Sequence, residues 1–298
     1  MCKEKEKEIK RISYSQISLF KRCPLAWKIK YVDNIKFSKA SKYTMFGRAI
    51  HELIQERIKN YYTDRKKDVD YKALLLDKII DEHNKEKEEN NNNIDFLSEE
   101  EIVEFNNIGL LIFEEFNKRI TKLFPYKGYE LVGIELPLEY NFNDDLGFIG
   151  YIDIIIKNKR ENTYRIIDLK TSYKGWDKEK EDHLKRFQLT LYKEFYSKLF
   201  NVDLKKIDVE FLILKRTLFQ PKNVAFKISR IQQFKPASGI VSINKYKKEF
   251  FNPFIDLCYP EYKIMDQEYY DSNLKATPSK DNCKWCDFKN TSYCTKGV

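Results

Sequence analysis

The chain has 298 residues, enough for one large domain or two modest ones, and 42% hydrophobic and 15% aromatic residues supply a sizeable core. Lysine and arginine number 55 against 46 acids; the net charge of +9 suits a polyanionic partner, and it equally fits a chain that is simply rich in Lys, Asn and Ile. Glycine is scarce at 9, and neither GxGxxG nor GxxxxGK[ST] occurs, which argues against a Rossmann dinucleotide site and a P-loop.

The opening MCKEKEKEIKR is charged and has no apolar signal core. No run of about 18 apolar residues follows, so no membrane span is expected. The expected compartment is a reducing cytoplasm, where six cysteines are free, metal-bound or catalytic rather than disulfide-bonded.

Residues 13–33 read as a helical pair, with Ser13 or Ser15 capping the first helix and Pro24 opening the second. Helices are expected over 46–64 and about 70–88, followed by the low-complexity loop Glu88 to Asn93. Ser98 and Glu101 form a capping box that opens a long helix to about Phe124, where Pro125 and Gly128 end it. Three apolar segments follow: Tyr129 to Phe142, Gly147 to Ile156 and Thr163 to Ser172. Turn signals at NDD and KNKREN separate them, so they read as consecutive strands of a meander. A helix runs from His183 to Phe200, then strands over Ile207 to Arg216 and Asn223 to Ser229. A last helix spans Ala237 to Phe251, and the cysteine-bearing tail reads as irregular. The order is that of an α/β sheet core (126–255) with a helical N-terminal lobe (13–125) and a tail (256–298), within a single domain.

One segment is chemically odd. RIIDLKTS, Arg165 to Ser172, is apolar enough to be buried, yet it carries Asp168 and Lys170 two residues apart, on one side of a strand. A buried charge is tolerated when paired or used. One reading is a salt bridge at a strand end. The other adds Asp153 from the preceding strand, brought alongside by the turn. Two carboxylates with the backbone carbonyl of Leu169 suit a hard cation such as Mg2+ or Mn2+. Lys170 would then orient a water or offset negative charge on a phosphate. Glu135, on the first strand, is either an extra acidic neighbour or a surface residue.

GYIDIII, IIDLKTS and RFQLTLY together resemble the PD-(D/E)XK nuclease superfamily, and within it the RecB-like branch: an Asp strand, a [D/E]-x-K strand, then a helix with Q-x-x-x-Y. The resemblance implies a restriction-endonuclease-like mixed central sheet flanked by helices. It implies metal-dependent hydrolysis of DNA, from single strands or duplex ends, by an exonuclease of CRISPR adaptation or of recombination and repair. Partners would then be CRISPR integration proteins or a helicase. A DNA-end-binding subunit without chemistry is the alternative. Gln188 and Tyr192 fit the Q-x-x-x-Y element and, one helical turn apart, would position DNA. His51, in GRAIHELI, would join Asp153 and Asp168 as a metal ligand. His83 and His183 have no such setting.

CKWCDFKNTSYC places Cys283, Cys286 and Cys294 within twelve residues, a metal-binding spacing. Cys23 is the expected fourth ligand. It resembles the upstream cysteine of RecB-like nucleases with an iron–sulfur cluster, which implies a [4Fe-4S] cluster joining the tail to Cys23. Zn2+ bound by the same thiolates is the alternative. Cys2 reads as a tail thiol and Cys258 as a core residue. Tyr14, Phe20, Trp27 and Tyr31 interleave with Lys21, Arg22, Lys28 and Lys30; they are either a stacking surface for single-stranded DNA or a core stripe backed by a solvated basic face.

Overall fold

The structure, a computed structural model, describes residues 9–35, 41–89, 96–176, 183–218, 229–284 and 286–298. Cys2, most of the Glu88 to Asn93 loop and all but Ser229 of the expected strand Asn223 to Ser229 lie outside them.

A short strand, β1 (Lys10–Ile12), precedes α1 (Tyr14–Arg22). The Ser13 side chain caps α1 by accepting the Gln16 N–H. Cys23 is extended and Pro24 follows it, so the chain breaks there and restarts as α2 (Pro24–Tyr31); a residue before proline is pushed out of the helical region. The next helix, α3 (Lys42–Thr63), begins before residue 46 because the N–H groups of Thr44 and Met45 both reach the Ser41 carbonyl. It packs against α4 (Tyr71–Glu89) and α5 (Glu99–Leu123). Both halves of the Ser98–Glu101 capping box form.

The sheet follows as β2 (Tyr129–Asn141), β3 (Leu146–Asn158), β4 (Thr163–Ser172), the helix α6 (His183–Phe200), β5 (Ile207–Lys215) and β6 (Ile231–Phe234). The pairs β2–β3 and β3–β4 are antiparallel, as a meander requires; β4–β5 is parallel across α6, and β5–β6 is antiparallel. This is the mixed sheet flanked by helices that the motif order implied. Two strands were not foreseen. β1 is three residues long and pairs parallel with the start of β3, and β6 lies just beyond Ser229.

The expected helix over 237–251 is instead α7 (Ile240–Tyr246), a π turn over Lys247–Phe251 and α8 (Asn252–Cys258). Pro253 has no N–H to continue an α ladder, so it fits the first turn of a new helix with the wider π turn before it. The tail is more regular than expected. Asp266 and Ser279 cap two short helices, α9 (Gln267–Asn273) and α10 (Lys280–Cys283).

Two apolar cores lie on the two sides of the sheet. One joins α3, α4 and α5 to Ile154, Ile156, Ile167 and Leu169; the other joins α1, α6, α7 and α8 to Ile152, Ile155 and Ile166. Trp27 anchors the second core. It is fully buried, with its ring edge-on to Phe20, Phe254, Tyr259 and Tyr270. The aromatic stripe of α1 and α2 is therefore core at Phe20 and Trp27, and no base can stack there. Trp27→Ala removes that keystone and should cost about 3–5 kcal/mol, read as a lower denaturant midpoint with the tail released first.

Candidate active site

The site is built where two strands part. β3 and β4 pair from Asn158–Thr163 to Ile154–Ile167, and there the ladder ends. The next opposed residues in that register are Asp153 and Asp168. Further along, the same edge of β3 is taken by β1, at Leu146 to Phe148. Between β1 and β4 that edge is open. The parted strands are held by one hydrogen bond, in which the Leu169 N–H donates to Asp153 Oδ2 at 2.6 Å.

A backbone irregularity aims Asp153. Ile152 packs in one core while Ile154 and Ile156 pack in the other, so the two-residue alternation of β3 resets at Asp153. On β2, Glu135 falls between the pairs Ile134–Ile154 and Leu136–Ile152, and its φ of 48° is left-handed. That conformation is costly for a non-glycine residue and is found where a site is shaped at the expense of the backbone. Gln55 donates to the Glu135 carboxylate and to the Asp153 carbonyl, the latter at 3.4 Å, and so ties α3 to the kink.

Asp168 is 1% exposed, and Lys170 Nζ lies 2.5 Å from its Oδ2. The pair is close but not aligned as a hydrogen bond, and that buried oxygen has no other partner. Burial lifts the Asp168 carboxyl above its ordinary range, against the pull of Lys170. Asp153 is lifted further, first by burial and then by the charges of Asp168 and Glu135. Burial alone would lower the Lys170 ammonium; the two aspartates outweigh it and hold the group above its usual value. The centre therefore has more acid than the single lysine neutralises.

His51, on α3, has a buried Nε2 with no hydrogen-bond partner. Its pKa is pushed down to about 3 by burial and then by the Lys170 charge, so the imidazole is neutral and keeps a lone pair. Buried orphaned polar atoms are rare and call for an explanation. A neutral imidazole, two carboxylates and a carbonyl form a donor set that fits Mg2+ or Mn2+. Among the described residues, no group of three His, Cys, Asp or Glu side chains is gathered closely enough to hold a metal as it stands.

The α6 residues lie behind the carboxylates. Gln188 and Tyr192 are 8% and 6% exposed, and the Gln188 amide donates to the Tyr192 hydroxyl at 3.1 Å. Burial, then the Asp168 charge, raises the Tyr192 phenol well above its usual value. Its ring lies on the backbone of Gly150, where an added Cβ would come within 2.8 Å of the ring and 3.1 Å of Phe148. Gly150→Val would displace Tyr192 and should cost about 1–3 kcal/mol, measured by urea titration.

Cys23, Cys283, Cys286 and Cys294 line one small cavity of about 20 Å³. Burial raises the Cys286 thiol, with Cys23 and Cys294 adding to the effect, while backbone hydrogen bonds lower Cys283. The apolar wall is Ala26, Ile29 and Phe288. Cys258 is buried in the main core, as expected, far from a ligand's role.

Gln55 carries a signal the sequence analysis does not use: it follows His51 by four residues and so shares its helix face. Glu135, of the two roles the sequence allows, takes that of an acidic neighbour, accepting from Gln55 beside Asp153. No curated protein matches the chain. A family model for the PD-(D/E)XK nuclease superfamily matches residues 11–294, which take in every residue of this site, and the chain belongs to that superfamily.

Proposed function

We propose that the chain is a metal-dependent DNA exonuclease of the RecB-like kind, acting on single-stranded DNA or duplex ends. The observation that carries this reading is the open fork between β3 and β4, which gathers Asp153, Asp168 and Lys170, with the orphaned Nε2 of His51 in reach of the Lys170 charge. Asp153, Asp168, His51 and the Leu169 carbonyl would hold Mg2+ or Mn2+, which when bound polarises the phosphate and acidifies a water. Lys170 orients the attacking water and offsets charge that develops on the phosphate. Gln188 and Tyr192 position the DNA backbone beside the carboxylates. The side chain of Lys170 is 29% exposed and marks the side from which a phosphate would approach.

The test is cleavage of end-labelled single-stranded DNA with Mn2+, with and without a chelator, by the full chain and by Lys170→Ala. The expected result is stepwise degradation from one end, lost with chelator and in the variant. An uncleaved substrate, or cleavage indifferent to both, overturns the proposal.

The four cysteines form a second part of the same reading. They ligate one metal centre, an iron–sulfur cluster by resemblance, with zinc as the other occupant of a four-thiolate set. Supporting this, residues from the two ends of the chain meet at one cavity.

A further inference from the structure

Beside the fork stands a group of side chains that the catalytic set does not use. The Arg216 guanidinium lies 3.9 Å from the ring centre of Tyr43 and 5.9 Å from that of Tyr173. Both tyrosines are open to solvent, at 53% and 62% exposure. Arg216 has no carboxylate partner among the described residues. A half-buried arginine beside two exposed aromatic rings, and not paired with an acid among the described residues, offers with them flat faces for a third flat group.

Its position follows from the two elements that build the site. The β4–β5 ladder continues past Lys170: the Arg216 N–H donates to the Ser172 carbonyl at 2.9 Å, and the Thr217 N–H to the Tyr173 carbonyl at 2.8 Å. Tyr173 is three residues beyond Lys170, about 10 Å along an extended strand. Tyr43 is eight residues before His51 on α3, about 12 Å along the helix axis. The two elements touch in between, since a Cβ on Gly47 would lie 2.8 Å from Thr171 Oγ1. Both carriers of catalytic residues therefore converge on one rim.

We infer that Tyr43, Tyr173 and Arg216 form a stacking platform for a base of single-stranded DNA, on the rim beside the carboxylate site. This rests on the nuclease reading above and adds to it a site that grips bases rather than phosphates. Base–aromatic stacking tolerates any sequence, as an exonuclease that proceeds along a strand requires. The arginine plane takes part in the stack, so its shape counts as well as its charge.

The test is fluorescence anisotropy with a labelled oligothymidylate in the presence of chelator, using the full chain. Tyr173→Ala and Arg216→Lys should each weaken binding roughly five- to hundredfold. Lysine keeps the charge and loses the plane, so a loss in Arg216→Lys separates stacking from phosphate attraction. With an abasic oligonucleotide of the same length, wild type and variants should bind alike. Tyr126→Ala is the control: Arg65 stacks on Tyr126 at 4.5 Å, at the opposite end of α3, and its loss should change nothing. Unchanged affinity in both variants, or an equal loss on the abasic strand, overturns the platform while leaving the nuclease intact if wild type cleaves. Binding that depends on the platform without any metal-dependent cleavage keeps the platform and overturns the nuclease. A wild type that neither binds nor cleaves overturns both.

Discussion

Asp168→Asn should abolish metal-dependent cleavage, by at least about a hundredfold, and leave the protein folded. The substitution keeps the shape of the side chain and removes one buried charge from a site where acid outnumbers base. Lys170 then faces Asp153 alone, and its partly exposed side chain can turn toward water. Lys170→Ala is the opposite case. It strips the cation from Asp168, which is 1% exposed, and leaves two carboxyls facing each other. Breaking a buried pair from one side costs about 3–5 kcal/mol, so this variant should lose stability as well as activity. A divalent cation that binds the folded state should restore the stability of Lys170→Ala, by mass action, without restoring cleavage. The check is a pair of denaturant titrations with and without Mg2+, run beside the cleavage assay. A Lys170→Ala protein whose midpoint ignores Mg2+ would mean that the carboxylates do not hold a metal. An Asp168→Asn protein that still degrades DNA would place the chemistry elsewhere.

Much of this site is legible in the sequence because its pieces lie on regular strands. The hairpin signal KNKREN between two apolar segments is enough to set Asp153 near Asp168, and the β3–β4 register puts them across from each other. What cannot be read is the parting of the strands. β1 is three residues of ordinary composition, and nothing in KRI says that it will occupy the far half of the β3 edge. The left-handed Glu135 is equally silent, since ELPL reads as plain strand. His51 is found by motif, but the absence of a partner for its Nε2 is a fact of packing. The platform residues come from three distant segments, and each alone reads as an ordinary surface residue. The aromatic stripe near Trp27 is ambiguous in the sequence, a binding face or a core stripe, and burial decides for the core at Phe20 and Trp27.

If the four cysteines ligate a metal as proposed, Cys286→Ala should empty that centre and free only the last part of the chain. The tail is attached in two ways. Up to Leu274 it is held by packing: Tyr259, Tyr270 and Leu274 are buried in the main core, and Lys28 pairs with Asp271 at 2.6 Å. Beyond that the contacts thin out. Thr277 Oγ1 donates to the Arg22 carbonyl at 2.8 Å, and the buried apolar side chains around the cysteines are Ala26, Ile29 and Phe288. On the four-cysteine reading proposed above, a metal bound at the cavity that the four thiols line adds to this packing. Limited proteolysis should cut Cys286→Ala between residues 277 and 298 and leave a nuclease core whose unfolding midpoint is little changed. Elemental analysis of the intact protein identifies the occupant: iron with labile sulfide for a cluster, zinc alone for a structural site. A variant that keeps its full metal content and a protected tail would remove Cys286 from the ligand set. An intact protein without metal, yet with a protected tail, would show that packing alone suffices.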